Sequence, residues 1–315
     1  GWGTVIEELD ARVGGAIICL ESAPQILHNI IELNGVRHSG AVMGGGMFIR
    51  NTRENTAENN LLIENNQFCI NWTAGEAGNL GGALCILGNG FISIENNCFR
   101  SNYSSVGGAM FILTGIPVLT NNVFHGNNAD MGGAIFAKKT IHTWYNNTTD
   151  KPVSGPKPSE DFIEQLEKNA FQNQSIVSAL PPRIVNCTFV YNSANHTGSA
   201  LFSHKARANI LNCIFWDNYS IKIQKPIIHY GPVSVNYSDV QGGWGLDSPN
   251  NTNINVNPEF ADVSSCCLSK DSPCIDKGHP SRMYCDPEDP EVPGYARSAS
   301  WGGIRHDMGP FGGPC

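Results

Sequence analysis

The residues able to do chemistry together in this sequence are few, and the carboxylates come first. Glu64 and Glu95 each stand four residues before a large apolar residue, Phe68 or Phe99, and Glu32 lies in the preceding stretch. Two carboxylates facing each other across a cleft would serve as the acid and base or nucleophile of glycoside hydrolysis. Clustered carboxylates holding Ca²⁺ beside a basic residue would serve proton abstraction. Neither Lys nor Arg recurs beside these acids, so a column of like charges in water is the plainer reading. A second acidic group, Asp286, Glu288, Asp289 and Glu291, lies in CDPEDPEVPG. Its oxygens on a Pro-stiffened loop suggest Ca²⁺, held chiefly by Asp286 and Asp289, although EF-hand spacing is lacking and a solvated acidic turn explains the same residues. No other cofactor is expected. His125, His142, His196, His204, His229, His279 and His306 show no metal-ligand spacing.

Cysteine and asparagine supply the other signals. Of eleven Cys, five crowd the last fifty residues: Cys266, Cys267, Cys274, Cys285 and Cys315. With no CxxC pair, disulfides in an oxidising compartment are the expected reading for this tail. Cys187 and Cys213 each precede a Phe by two residues and should stack, either bridged or as buried thiols. The Asn-x-Ser/Thr pattern occurs at Asn71, Asn102, Asn146, Asn147, Asn173, Asn186, Asn195, Asn218, Asn236 and Asn250. These are N-glycosylation candidates, most accessibly in the surface loop around Asn146, Asn147 and Asn173.

The elements that must position these residues follow from two interleaved repeats. The first reads VGGAII from Val13, MGGGMF from Met43, LGGALC from Leu80, VGGAMF from Val106 and MGGAIF from Met131, with a degraded GSALF from Gly198. The second is built on an apolar anchor, Ile31, Phe68, Phe99, Phe124, Phe189 or Phe215. Three residues after it stands Asn34, Asn71, Asn102, Asn127, Asn192 or Asn218, and three before it His28, Asn65, Asn96, Asn121, Asn186 or Asn212. Gly-marked turns at this interval, separating short runs such as FISIEN and RIVNCTF with two-residue alternation, predict an all-β solenoid. Matching residues should then stack one strand spacing apart, about 4.8 Å. The Phe anchors form an internal column and the Asn residues hydrogen-bonded ladders, with His28 standing in for Asn. The first copy aligns with Ile6 at the anchor and Leu9 in place of Asn, so the chain is expected to begin inside a coil.

Coils are expected over 1–240, interrupted at 138–182 by a protruding Pro-rich loop with a short helix around DFIEQLEKNAF, and 241–315 should close the end. The 315 residues carry a net charge of -8, 41% hydrophobic and 15% charged residues. This balance, with no basic run, argues against nucleic acid, and no apolar stretch is long enough to span a bilayer. Gly1 reads as a processed or truncated start.

These repeats resemble those of bacterial right-handed parallel β-helix proteins, relatives of the pectate-lyase-like fold. The phrases NYSDVQGGW, NPEFAD, SPCIDKG and DMGPF are similar to the closing segment of secreted and surface-anchored members. The GGA and FxxN phrases resemble repeats of polymorphic outer-membrane proteins. The resemblance implies a single-stranded right-handed solenoid with a disulfide-rich irregular C-terminal segment. It does not imply an activity, because such folds carry lyases, hydrolases, adhesins and structural proteins. The Asp-Asp, Gly-His-Gly and Arg-x-Lys phrases expected of galacturonases are not present. Three functions stay open. The first is a non-enzymatic extracellular or cell-surface structural protein that stacks head to tail with itself. The second is an adhesin binding cell-envelope glycans through exposed Trp72, Trp144, Trp216, Trp244 or Trp301, with Trp216 pointing outward. The third is a polysaccharide lyase or hydrolase.

Overall fold

The computed structural model describes residues 4–6, 11–51, 61–88, 91–113, 116–138, 183–204, 206–247, 249, 251–297 and 300–310. The expected 138–182 insertion and its helix fall outside these beyond Lys138, as does Leu9. Among the described residues the regular structure is nearly all strand, gathered into long parallel sheets with the arrangement of a solenoid. Three sheets of seven strands each run its length. The anchor sheet comprises Ile30–Glu32, Gln67–Cys69, Cys98–Arg100, Val123–His125, Thr188–Val190, Ile214–Trp216 and Asp239–Val240. A corner sheet runs from Gln25–Leu27 to Val233–Asn236, and an inner sheet from Ile17–Leu20 to Ile227–His229. An outer layer contains Ala11–Val13, Ala41–Met43, Gly78–Leu80, Gly35–His38, Trp72–Gly75, Asn128–Met131, Ser193–Thr197 and Tyr219–Ser220.

One circuit passes from inner sheet to corner sheet, anchor sheet and outer layer. Successive coils take 37, 31, 25, 65 and 26 residues, yet each places its anchor strand directly on the last. Phe68 pairs with Ile31 and Phe99, Phe99 with Phe124, Phe124 with Phe189, and Phe189 with Phe215. Their rings stack face to face at 4.9, 4.9, 4.7 and 4.6 Å with interplanar angles of 9° or less. All five are fully buried, so hydrophobic transfer and ring packing act at the same positions.

Each bend is made by a left-handed residue followed by a ladder residue. The first bend has His28, Asn65, Asn96, Asn121, Asn186 and Asn212 at φ of 53° to 56°. Asn tolerates this region better than other residues with a Cβ, which explains its recurrence there. The main hydrogen-bonded column lies one residue later than the sequence reading placed it, at Asn29, Asn66, Asn97 and Asn122. Each of the first three donates from Nδ2 to Oδ1 of the next residue in the column. His28 therefore supplies a backbone conformation, not a rung of the ladder. The second bend behaves as expected: Asn34, Asn71, Asn102, Asn127, Asn192 and Asn218 form one continuous ladder, preceded by left-handed Leu33, Ile70, Ser101, Gly126, Tyr191 and Asp217.

The Gly-Gly phrase folds the outer layer back over the inner sheet. In MGGGMF, Gly44 has φ +64°, and a Cβ on Gly45 would lie 2.3 Å from the Gly82 carbonyl oxygen. Coils approach too closely there for any side chain. The fold-back creates a second apolar core that the sequence reading did not anticipate. Met43, Leu80 and Val106 of the outer layer pack on Phe48, Cys85, Phe111, Phe136 and Phe202, which project from the inner sheet away from the Phe anchors. Phe111, Phe136 and Phe202 form their own stack at 5.7 and 5.0 Å.

Ile6 does not join the anchor column: Thr4–Ile6 pairs antiparallel with Ala11–Val13, setting Ile6 opposite Ala11. At the other end Ser238, Asn253 and Ile254 continue the stacking. The following segment then runs along the outside of the anchor sheet. Leu268, Cys274 and Met308 cluster with Ile214, and Cys266 with Val123 and Val190. The Arg100 guanidinium donates to the Ser264 carbonyl, and His279 N–H donates to Asn212 Oδ1 at 2.8 Å.

Candidate functional site

Of the tail cysteines expected to bridge, Cys266, Cys274 and Cys285 stand as thiols whereas Cys267 is disulfide-bonded, and Cys187 and Cys213 are buried thiols, one of the two expected alternatives. Cys19, Cys69, Cys85, Cys98, Cys187, Cys213, Cys266, Cys274 and Cys285 are free; Cys267 is not among these free thiols, and Cys315 lies outside the described residues. Cys187 and Cys213 extend the first ladder beyond Asn122. The Asn122 N–H donates to Cys187 Sγ at 3.4 Å, Cys187 Sγ donates to the Val185 carbonyl at 3.2 Å, and the Cys187 N–H donates to Cys213 Sγ at 3.4 Å. Ser238 takes the next rung, accepting from the Cys213 N–H at 3.0 Å and donating to the Asn236 carbonyl at 2.9 Å. The position needs one acceptor and one donor. Asn, Cys and Ser all provide both. Burial drives the Cys213 thiol well above its usual pKa, which fits a structural group and not a nucleophile.

The acids divide the same way. Glu64 and Glu95 are register partners, as expected, and Ser93 Oγ donates to the Glu95 carboxylate. Glu32 lies instead on the anchor sheet, opposite Cys69. Asp286 and Asp289, the expected calcium pair, have separate hydrogen-bond partners. Asp286 turns inward to His306 Nδ1 at 2.6 Å, whereas Asp289 accepts the Glu291 N–H at 2.8 Å within its own loop. Among the described residues no group of three or more His, Cys, Asp or Glu is placed to hold a metal ion. Burial raises the Asp307 carboxyl to about 8 and that of Asp239 to about 7. Both serve the tail. Asp307 accepts the Asp276 N–H at 2.6 Å and the Trp301 N–H at 3.2 Å, and Cys274 Sγ donates to Asp239 at 3.4 Å.

Burial also sorts the sequons. Asn71, Asn102 and Asn186 are buried, and Asn218 Nδ2 is held by the Phe189 and Trp216 carbonyls, so the folded chain offers no amide for a glycan at those four. Asn195 and Asn236 are exposed, while Asn146, Asn147, Asn173 and Asn250 lie outside the described residues.

The tryptophans separate too. Trp216 does leave the interior, but the tail covers it with the Ile214, Leu268 and Met308 cluster, which the strand alternation could not reveal. Trp244 packs on the main core. Trp301 is half-buried, and Trp144 lies outside the described residues. Trp72 is different: it is 36% exposed on the outer layer, one residue past the second Asn ladder. Its register partners are Gly35 and, in the next coil, Tyr103, itself 47% exposed. The column continues through Asn128, Ser193 and Tyr219. Two residues farther on stand Asp130 and Asn195, joined by a 2.7 Å hydrogen bond from Asn195 Nδ2 to Asp130 Oδ1. Sequence reading missed Tyr103, Asn128 and Asp130. The available signal was their shared offset of four or six residues after the anchor.

Comparison with protein-family models, with curated proteins and with solved structures gave no match.

Proposed function

We propose that the chain is a right-handed parallel β-helix of the extracellular or cell-surface type, acting as a stiff structural rod that presents its lateral faces. Right-handed crossovers are the strong rule for strands connected in parallel within a sheet. The observation that carries the reading is the unbroken Phe column with its flanking Asn ladder, which runs through coils of 25 to 65 residues without a change of register. Interior side chains are committed to stacking, and the strands keep their register whatever length of chain lies between them, the division expected of a scaffold. The partners that suit this rod are further copies of itself, end to end, and glycans of the cell envelope. Asn195 and Asn236 are the described sequons whose exposure suits modification. The reading assigns the chain no catalytic step.

The test is its location and shape in the native source. Brief protease treatment of intact cells should release its peptides, and images of the purified native protein should show rods or filaments. Recovery solely from the interior of unbroken cells would overturn the surface role. Compact round particles would overturn the rod.

A second reading, an adhesin, is favoured by one observation. Trp72 and Tyr103 stay exposed in adjacent coils while the tail covers Trp216.

A further inference from the structure

We propose that the outer layer carries a binding strip for a linear, uncharged polysaccharide, lying along the coil axis from Trp72 through Tyr103, Asn128 and Ser193 to Tyr219. The inference deepens the adhesin reading by naming the ligand class. Five register positions at about 4.8 Å make a strip about 19 Å long.

Trp72 is held in a definite pose. A Cβ on Gly35 would lie 2.1 Å from Trp72 Cε2 and 2.3 Å from Cζ2, so the indole lies down against the Gly35 backbone of the preceding coil. Only glycine leaves that space. The ring thus has a backbone support beneath it while the residue keeps 36% of its surface in water. Tyr103 follows one coil on at 47% exposure. Two aromatic platforms one strand spacing apart offer faces to the C–H surfaces of successive pyranose rings, whose hydroxyls point to the sides.

Polar partners stand where those hydroxyls would reach. Asn128 Nδ2 donates to Ser193 Oγ at 2.6 Å, and the exposed Asn195–Asp130 pair flanks the same column. Amide, hydroxyl and carboxylate groups of this kind donate to and accept from sugar hydroxyls. Charge selects the polymer type. Asp130 lies close enough to Tyr103 that its negative charge helps raise the phenol pKa, after the larger effect of burial. That carboxylate and the net charge of -8 repel uronate chains, so the complementary ligand is neutral.

The experiment titrates the full chain with β-1,4-linked glucose and N-acetylglucosamine hexasaccharides, and with hexagalacturonate, by calorimetry and tryptophan fluorescence. Saturable binding of at least one neutral hexasaccharide is expected, stronger than that of the galacturonate. Trp72→Ala and Tyr103→Ala should each weaken it at least about tenfold, the effect of losing one well-placed anchor. Should Trp72→Ala fail to fold by circular dichroism, Gly35→Ala and Asn195→Ala carry the test. The first lifts the indole from its support without removing it, and the second removes an exposed amide. Each should weaken binding. No saturable binding of either neutral sugar, preference for the galacturonate, or unchanged affinity in the folded variants would overturn the strip. Those results leave the surface location measured by protease treatment untouched, whereas a chain confined to the cell interior removes the parent reading whatever it binds in vitro.

Discussion

Replacing Asn102 by Leu removes one rung from the middle of the second ladder and leaves its neighbours unpaired. Asn102 is fully buried. Its Oδ1 accepts from the Asn71 N–H at 2.9 Å and from Asn71 Nδ2 at 3.1 Å. Its Nδ2 donates to the Phe68 carbonyl at 2.8 Å and to Asn127 Oδ1 at 2.9 Å. Leu has nearly the same size and fills the space. The Asn71 N–H, one hydrogen of Asn71 Nδ2 and the Phe68 carbonyl then lose this partner, while Asn127 Oδ1 keeps the bond from the Asn102 N–H at 3.0 Å. Each orphaned buried group costs about 1–3 kcal/mol, so the three together should cost about 3–6 kcal/mol after local relaxation. Urea unfolding followed by tryptophan fluorescence gives the number, with exposed Asn236→Leu as the control expected to change stability by less than about 0.5 kcal/mol. A loss below about 1 kcal/mol for Asn102→Leu would refute the ladder as a requirement of the fold. It would show that water or a shifted backbone meets these groups just as well.

Four further outcomes follow from the same contacts. Cys213→Ser should be tolerated because a hydroxyl also accepts and donates there, whereas Cys213→Val should cost about 1–3 kcal/mol; equal stability of the two variants in urea would contradict the rung assignment. Ile70 holds φ +55° with a β-branched side chain, so Ile70→Asn should raise stability by about 1 kcal/mol, and a loss in the same assay would count against strain at that bend. Asp239 faces Cys274, and Asp307 faces Asp276 and Asp286, the latter paired with His306; both raised carboxyls bind protons more tightly when folded. Their contribution is therefore fully present below the usual carboxylate range, near pH 4, and is lost as pH rises through about 7 and 8. Hydrogen exchange of residues 258–310 should report a looser tail at pH 9 than at pH 6, less so in Asp239→Asn; an unchanged difference in that variant would rule out Asp239 as a source. A thiol reagent on the native chain should label Cys69 and Cys285 before buried Cys85, Cys187 and Cys274, and simultaneous labelling of all five would contradict the described burial.

The coil architecture was legible because a solenoid repeats the same physical demand in every unit. Left-handed backbone calls for Asn or Gly, a dry interior for Phe, and close backbone approach for Gly, so three local rules recur in register from Val13 to Phe215. The ladder was misplaced by one residue because Asn serves at both members of the Asn-Asn pairs 65–66, 96–97 and 121–122. Spacing alone cannot say which one bends the chain and which one bonds. Where the second member changed to Cys187, Cys213 or Ser238, residue identity concealed a shared donor-acceptor role. The second core was hidden because Phe48, Phe111 and Phe136 alternate with Met47, Met110 and Ile135 in runs apolar on both faces, which do not reveal what covers each face. Lateral packing of the tail is non-local. Nothing near Trp216 in sequence announces that Leu268 and Met308 will lie over it. The strip was half visible: Trp72 was singled out by type, but Tyr103, Asn128 and Asp130 gain meaning only from their neighbours in adjacent coils.

Stacking is tested most directly by measuring whether distance follows coil number or residue number. Leu27, Glu64, Glu95, Thr120, Val185, Leu211 and Asn236 form one register column on the corner sheet. Spin labels introduced through a noncanonical amino acid leave the native thiols unmodified, and pulsed dipolar spectroscopy then reads the pairs Glu64/Leu211, Glu64/Asn236 and Leu27/Asn236. Four, five and six strand spacings predict backbone separations of about 19, 24 and 29 Å, rising by one spacing per coil even across the 65-residue coil. Separations that jump across that coil, or that do not rise from pair to pair, would contradict the stacked rod.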